Sequence, residues 1–137
     1  MLIEIGRLAT IWAEIEQFLI LDVSALTAVD GVPTGHLRIE FRRLREEWIK
    51  SIKDKLGDRY FDKVCNPINQ RLVDASESRG MVFHGTWRAV KRGSYRVEWH
   101  EQKRRLVWFS IPISLQEMRD VNSGLHKLLT DLKAARS

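Results

Sequence analysis

The stretch SYRVEWHEQKRRLVWFSIPISLQE, residues 94–117, decides the fold, because the period of its apolar residues changes within it. Tyr95, Val97 and Trp99 alternate with Arg96, Glu98 and His100; Val107, Phe109, Ile111 and Ile113 then alternate with Leu106, Trp108 and Ser110. Alternation sends successive side chains to opposite faces of a strand, so the pattern predicts a β-hairpin over about 94–113, turning at the polar Glu101-Gln102-Lys103. Ser114-Leu-Gln-Glu117 follows as a capping box, in which a serine hydroxyl and a glutamate carboxylate satisfy two backbone donors at a helix start. The helix it opens carries Leu115, Met118, Val121, Leu125, Leu128 and Leu132 at spacings of three and four.

Three or four helical stretches are expected before the hairpin. Ile5, Leu8, Trp12, Ile15, Leu19, Val23 and Leu26 predict a first helix from about Leu2 to about Val29. A second apolar row, Ile3, Ile11, Phe18 and Ala25, lies off the first, as in a helix that is central to a bundle or shared with a second subunit. Asp30, Gly31, Pro33 and Gly35 mark a loop. A second helix, about Gly35 to Leu56, presents Leu37, Phe41, Leu44, Trp48, Ile52 and Leu56. Gly57 stops it and Asp58 caps the next stretch, which carries Tyr60, Phe61, Val64, Ile68, Leu72 and Ala75. Asn66-Pro67 interrupts that stretch, either as the cap of a fresh helix or as a kink in a longer one. The expected fold is mainly α, an antiparallel helical bundle with one hairpin before the C-terminal helix, forming a single domain over residues 1–137.

At 137 residues, 44% apolar and 30% charged, the chain has the make-up of a globular domain able to bury a core. Its single cysteine, Cys65, rules out an internal disulfide and suits a reducing, cytoplasmic compartment. The apolar start is broken at helical intervals by Glu4, Arg7, Glu14, Glu16 and Asp22, which reads as a structural helix with no targeting or membrane-spanning segment. The four histidines and the cysteine lack ligand spacing, so no metal or cofactor is expected. Between Arg88 and Arg105, seven basic residues face two acidic ones, so this stretch carries the whole formal charge of +5. Arg92, Arg96, Arg104 and Arg105 are therefore candidate contacts to nucleic acid, against the alternative of a hairpin whose charge keeps its edge soluble.

The remaining chemistry lies in Glu77-Ser-Arg79-Gly-Met-Val-Phe-His84-Gly-Thr-Trp87. Arginine, four residues, histidine and Gly-x-Trp, after a long first helix with Trp12 and Glu16, resembles the HEPN superfamily (higher eukaryote and prokaryote nucleotide-binding domains). The resemblance implies an HEPN-like fold and a metal-independent endoribonuclease acting on RNA, with Arg79 and His84 catalytic in a composite site between the subunits of a homodimer. It also implies a toxin–antitoxin or phage-defence setting, with an antitoxin or other protein partner. The alternative is a non-catalytic helical module of the same fold that binds a protein or nucleic acid. Gly80 departs from the family, in which a polar residue often follows the arginine.

The residue types suit the chemistry: histidine exchanges protons near neutral pH, and the arginine fork matches phosphate oxygens. At about 100° per residue, Arg79 and His84 lie about 140° apart around a helix, a poor fit within one subunit and a better one across two. Glu16 either orients Arg79 or reaches solvent at the margin of the first helix's stripe. His36, His100 and His126 read as surface or capping residues, Trp12 and Trp48 as core, and Trp87, Trp99 and Trp108 as cross-strand packing or base-stacking groups.

Replacing Arg92, Arg96, Arg104 and Arg105 together with alanine should flatten the dependence of RNA affinity on salt, measured by titration from low to moderate ionic strength, while the fold is retained. An unchanged slope would assign the charge to solubility.

Overall fold

The computed structural model describes residues 1–28, 40–102 and 106–137. Helices α1 (Leu2–Leu26) and α2 (Phe41–Leu56) are followed by the single turn α3 (Asp58–Tyr60), a π-helical turn (Phe61–Cys65) and α4 (Asn66–His84). Three antiparallel strands, β1 (Thr86–Lys91), β2 (Ser94–Gln102) and β3 (Leu106–Ser114), are paired in sequence order and lead into α5 (Leu115–Ala135). The chain is thus mainly helical, with a small sheet before the C-terminal helix.

The helices form where the apolar spacing places them. Leu8, Trp12, Ile15, Leu19 and Val23 of α1 are buried, and meet Leu44, Trp48 and Ile52 of α2, Ile68 and Leu72 of α4, and Met118, Leu125, Leu128, Leu129 and Leu132 of α5. Each fully buried side chain of this size contributes about 1.5–3 kcal/mol. The second row of α1 fares differently: Ile11 and Phe18 are half-buried, whereas Ile3 and Ala25 are exposed. Helix α1 ends at Leu26, short of Val29, where the Thr27 N–H and hydroxyl both donate to the Val23 carbonyl. Helix α2 starts at Phe41 rather than near Gly35; Leu37 and the predicted loop at Asp30–Gly35 lie outside the described residues.

Side-chain contacts fix the helix directions. Trp12 meets Phe41 and Asp22 meets Trp48, so α1 and α2 run the same way. Glu4 meets Asn122 and Asp22 meets Arg136, so α5 shares that direction. Helix α4 opposes them: Arg71 pairs with Asp131, while Ser78, further along, shares a cleft with Val121. The bundle is antiparallel through α4.

At Asn66-Pro67 the helix neither stops nor takes a side-chain cap. Asn66 is helical, at φ −61° and ψ −41°, and its N–H donates to the Phe61 carbonyl five residues back. Proline has no N–H to offer, and its ring crowds the carbonyl four residues earlier; the wider π turn before it relieves that crowding.

The predicted hairpin is β2 and β3, but β1 adds a third strand. Lys91 pairs with Ser94 across an Arg92-Gly93 turn, where Gly93 takes φ +75°, the left-handed conformation that a tight hairpin favours and glycine adopts at little cost. Of the turn expected at Glu101–Lys103, Glu101 and Gln102 belong to strand β2, which continues through Gln102; Lys103 is outside the described residues. In register, Trp87, Val97 and Ile111 share one face, with Tyr95, Trp99, Phe109 and Ile113; Arg88, Arg96, Glu98 and Ser110 occupy the other. The first face is packed on the helices through Val97 and Ile113. The capping box is formed: Glu117 N–H donates to Ser114 Oγ at 3.0 Å, and Ser114 N–H to Glu117 Oε2 at 2.8 Å.

Two polar pins hold α1 to α5. Near its start, buried Glu4 accepts from Asn122 Nδ2 at 2.9 Å and from Arg7 Nη1 at 2.9 Å. Near its end, Asp22 accepts from Arg136 Nε at 2.7 Å and Nη2 at 2.9 Å, and from Trp48 Nε1 at 2.8 Å. Arg136 also donates to Tyr60 Oη, and its pKa is pushed up, chiefly by the hydrogen bond to Asp22. Both side chains of the Asp22–Arg136 pair are only 11% exposed, which separates it from the open Arg42–Glu46 pair. Asp22→Ala should cost roughly 3 kcal/mol by urea unfolding, because it strands a buried guanidinium and an indole N–H. Glu46→Ala should stay within about 0.5 kcal/mol.

Candidate functional site

The end of α4 is built by the residues around the Arg79–His84 motif. Gly85 leaves the helix in extended backbone; a Cβ placed there would sit 2.4 Å from Val97 Cγ2 and 2.5 Å from the Met81 carbonyl oxygen. Only glycine allows the helix end to lie this close to β2. Trp87 donates its indole N–H to the Val82 carbonyl at 2.9 Å, satisfying one of the acceptors that a helix C-terminus leaves open. The His-Gly-x-Trp sequence therefore joins α4 to the sheet.

This junction opens a groove of about 750 Å³ between α4 and the sheet. Glu77, Ser78, Gly80, Met81 and His84 line one side, and Trp99, His100 and Phe109 the other. His84 is exposed. Trp99 and Phe109, cross-strand neighbours, stack with centroids 5.1 Å apart and planes 13° from parallel. His100, read from the sequence as a surface residue beside a turn, lines the same groove as His84.

Arg79 lies on another side of α4. Its guanidinium sits 5.5 Å from the Trp12 ring centroid and 5.4 Å from that of Phe83, in cation–π contact with both. Its buried Nε has no hydrogen-bond partner among the described residues. Glu16 lines the same shallow pocket as Arg79, together with Ala9, Trp12, Ala13 and Phe83, and its carboxylate accepts the Trp12 indole N–H. Glu16 thus orients the ring over which Arg79 lies. Within one chain Arg79 and His84 open onto separate depressions.

Of the basic candidates, Arg92 is exposed in the β1–β2 turn, and Arg96 lies on the outer sheet face with its Nε donating to Ser110 Oγ at 3.1 Å. Arg88, on that face, pairs with Glu98. Arg104 and Arg105 lie outside the described residues, as does His36. His126 is exposed on α5. Cys65 is fully buried, and desolvation is the main cause that raises its thiol pKa, which suppresses the reactive thiolate. Among the described residues no cluster of three or more His, Cys, Asp or Glu side chains is placed to hold a metal ion, and no helix is long and apolar enough to cross a membrane.

The third strand and the structural use of Gly85 and Trp87 escaped the sequence reading. A signal existed for the strand: Trp87 and Ala89 alternate with Arg88 and Val90 ahead of the Arg92-Gly93 dipeptide. None existed for Gly85, whose constraint comes from Val97, twelve residues away and on another element. No protein-family model matches the chain, and comparison with curated proteins and with solved structures gives no significant match.

The glycine inside the motif and the one just after it predict opposite outcomes. A Cβ on Gly80 meets nothing within 4 Å, so Gly80→Ala should stabilise the helix by about 0.5–1 kcal/mol. Gly85→Ala should destabilise by roughly 1–3 kcal/mol, since the neighbours it strikes include backbone. Paired denaturant melts measure both.

Proposed function

We propose that this chain is an RNA-binding, metal-independent endoribonuclease of HEPN type whose site is completed by a second copy of the chain. The observation that carries the reading is His84, exposed at the end of α4 beside an open groove, where an RNA strand has access to its imidazole. In this reaction the ribose 2′-hydroxyl gives up its proton to a base and attacks the adjacent phosphorus. The phosphorus–O5′ bond breaks, and the leaving oxygen takes a proton. Products are a 2′,3′-cyclic phosphate and a 5′-hydroxyl. An imidazole can serve in either proton step, and a guanidinium stabilises the charge that builds on the phosphorane.

The placement of Arg79 bears on the dimer. Its pocket shares Ala9 and Ala13 with a broad apolar depression along α1 that also includes Phe18 and Leu21. Leu2, Ile3 and Leu21 on this helix are 85%, 72% and 58% exposed. A second copy seated on α1 would lie against the Arg79 pocket, and could bring its own His84 there. The resemblance to HEPN proteins adds a toxin–antitoxin or defence setting with a neutralising partner. One observation favours the second reading, a non-catalytic interaction module: the Arg79 guanidinium is already engaged by two aromatic rings, on a side of α4 apart from His84.

His84→Ala and Arg79→Ala should each lower cleavage of single-stranded RNA by about 10²–10⁴, with thermal stability measured alongside. Cleavage should persist in EDTA. A mixture of the two variants should regain a measurable share of activity, since a mixed dimer contains one intact pair. Full activity in stable His84→Ala would overturn the catalytic reading, and a parent that binds RNA but cuts none would favour the interaction module.

A further inference from the structure

We infer that the groove between α4 and the β2–β3 face is a pocket for one unpaired guanine base of an RNA strand. The inference rests on the RNA reading above and names what that reading leaves open, the feature of the strand that is recognised. Three observations converge. The first is an aromatic wall: Trp99 and Phe109 stack on each other, nearly parallel and half-buried, and both line the groove. Stacking on such a surface is worth about 1–3 kcal/mol per base and does not distinguish one base from another. Met81 lines the facing α4 side, an apolar, polarisable counterpart.

The second observation concerns charge. Among the described residues that line the groove the one formally charged side chain is the Glu77 carboxylate. A carboxylate repels phosphate, so the groove suits an uncharged base. The sugar–phosphate chain is left to the exposed His84 and His100 and to basic residues elsewhere.

The third is the donor–acceptor match. An ionised carboxylate accepts hydrogen bonds and donates none. The base it prefers must therefore present N–H groups. Guanine offers two adjacent donors, N1–H and the N2 amino group, on its Watson–Crick edge, and this pair matches the two oxygens of Glu77. Adenine and cytosine offer one amino group each, beside an acceptor that a carboxylate repels. Uracil offers one ring N–H between two carbonyls. Because the recognised edge is the pairing edge, only an unpaired guanine can enter.

The test uses the whole chain and four labelled 11-mers: oligouridine, and oligouridine with a central guanine, adenine or cytosine. Affinity is read by fluorescence anisotropy, and groove occupancy by the Trp99 indole resonance, assigned by its loss in Trp99→Phe. The guanine oligomer should bind about tenfold more tightly than the others and alone shift the Trp99 signal strongly. Glu77→Gln, a change at an exposed helix position, should bring its affinity down to that of oligouridine with the melting temperature unchanged. Equal binding of all four oligomers, or a guanine preference that survives Glu77→Gln, overturns the pocket while leaving the RNA reading in place. Absence of binding by any oligomer at low salt overturns both.

Discussion

The structure depends on the burial of one stripe of α1. Leu8, Trp12, Ile15, Leu19 and Val23 fall on successive turns, and all five are lost to solvent against α2, α4 and α5. A helix packed chiefly against α2 and α5 must carry its polar groups at the ends or on the remaining strip. Glu4 and Asp22 do so: Glu4 is met by Asn122 of α5, and Asp22 by Arg136 just past the end of α5 and by the Trp48 indole. These bonds select among ways of packing the same apolar surface. Sliding α5 along α1 by one turn would keep much of the hydrophobic contact and break both pins, leaving partly buried charges without partners, a costly state.

The arrangement of directions has consequences for the site. With α1, α2 and α5 running one way, only α4 returns, so its C-terminal end lies near the start of α5 and beside the sheet that joins them. The close approach of Gly85 to Val97 and the bond from Trp87 to the Val82 carbonyl set the sheet against that end. The groove exists because a helix meets a sheet at a tight turn, with Glu77, Met81 and His84 on successive turns of α4 opposite the stacked Trp99 and Phe109. On α4's other side, Trp12 and Phe83 take up Arg79, with Glu16 holding the Trp12 ring. The two motif residues thus have distinct surroundings, one open to solvent and one in aromatic contact, as expected from their angular separation on a helix.

Much of this was legible in the sequence. The 3.6-residue spacing located the buried stripes of α1, α2 and α5, because burial on one side of a helix leaves a periodic trace in composition. The change to period two located β2 and β3, and Ser114 with Glu117 located the start of α5, since a capping box is satisfied by residues only three apart. The divergence of Arg79 and His84 followed from helix geometry. What only the tertiary structure decided were relations between distant segments, which leave no periodic signal: the common direction of α1, α2 and α5, the pairing of β1, the passage through Asn66-Pro67 by a π turn, and the use of Asp22 to join Trp48 to Arg136. The meeting of His84 with Trp99, His100 and Phe109 belongs with these. A sequence records which residues a local backbone can carry, whereas a groove is made by two elements that approach each other, here because Gly85 has no side chain to keep Val97 away.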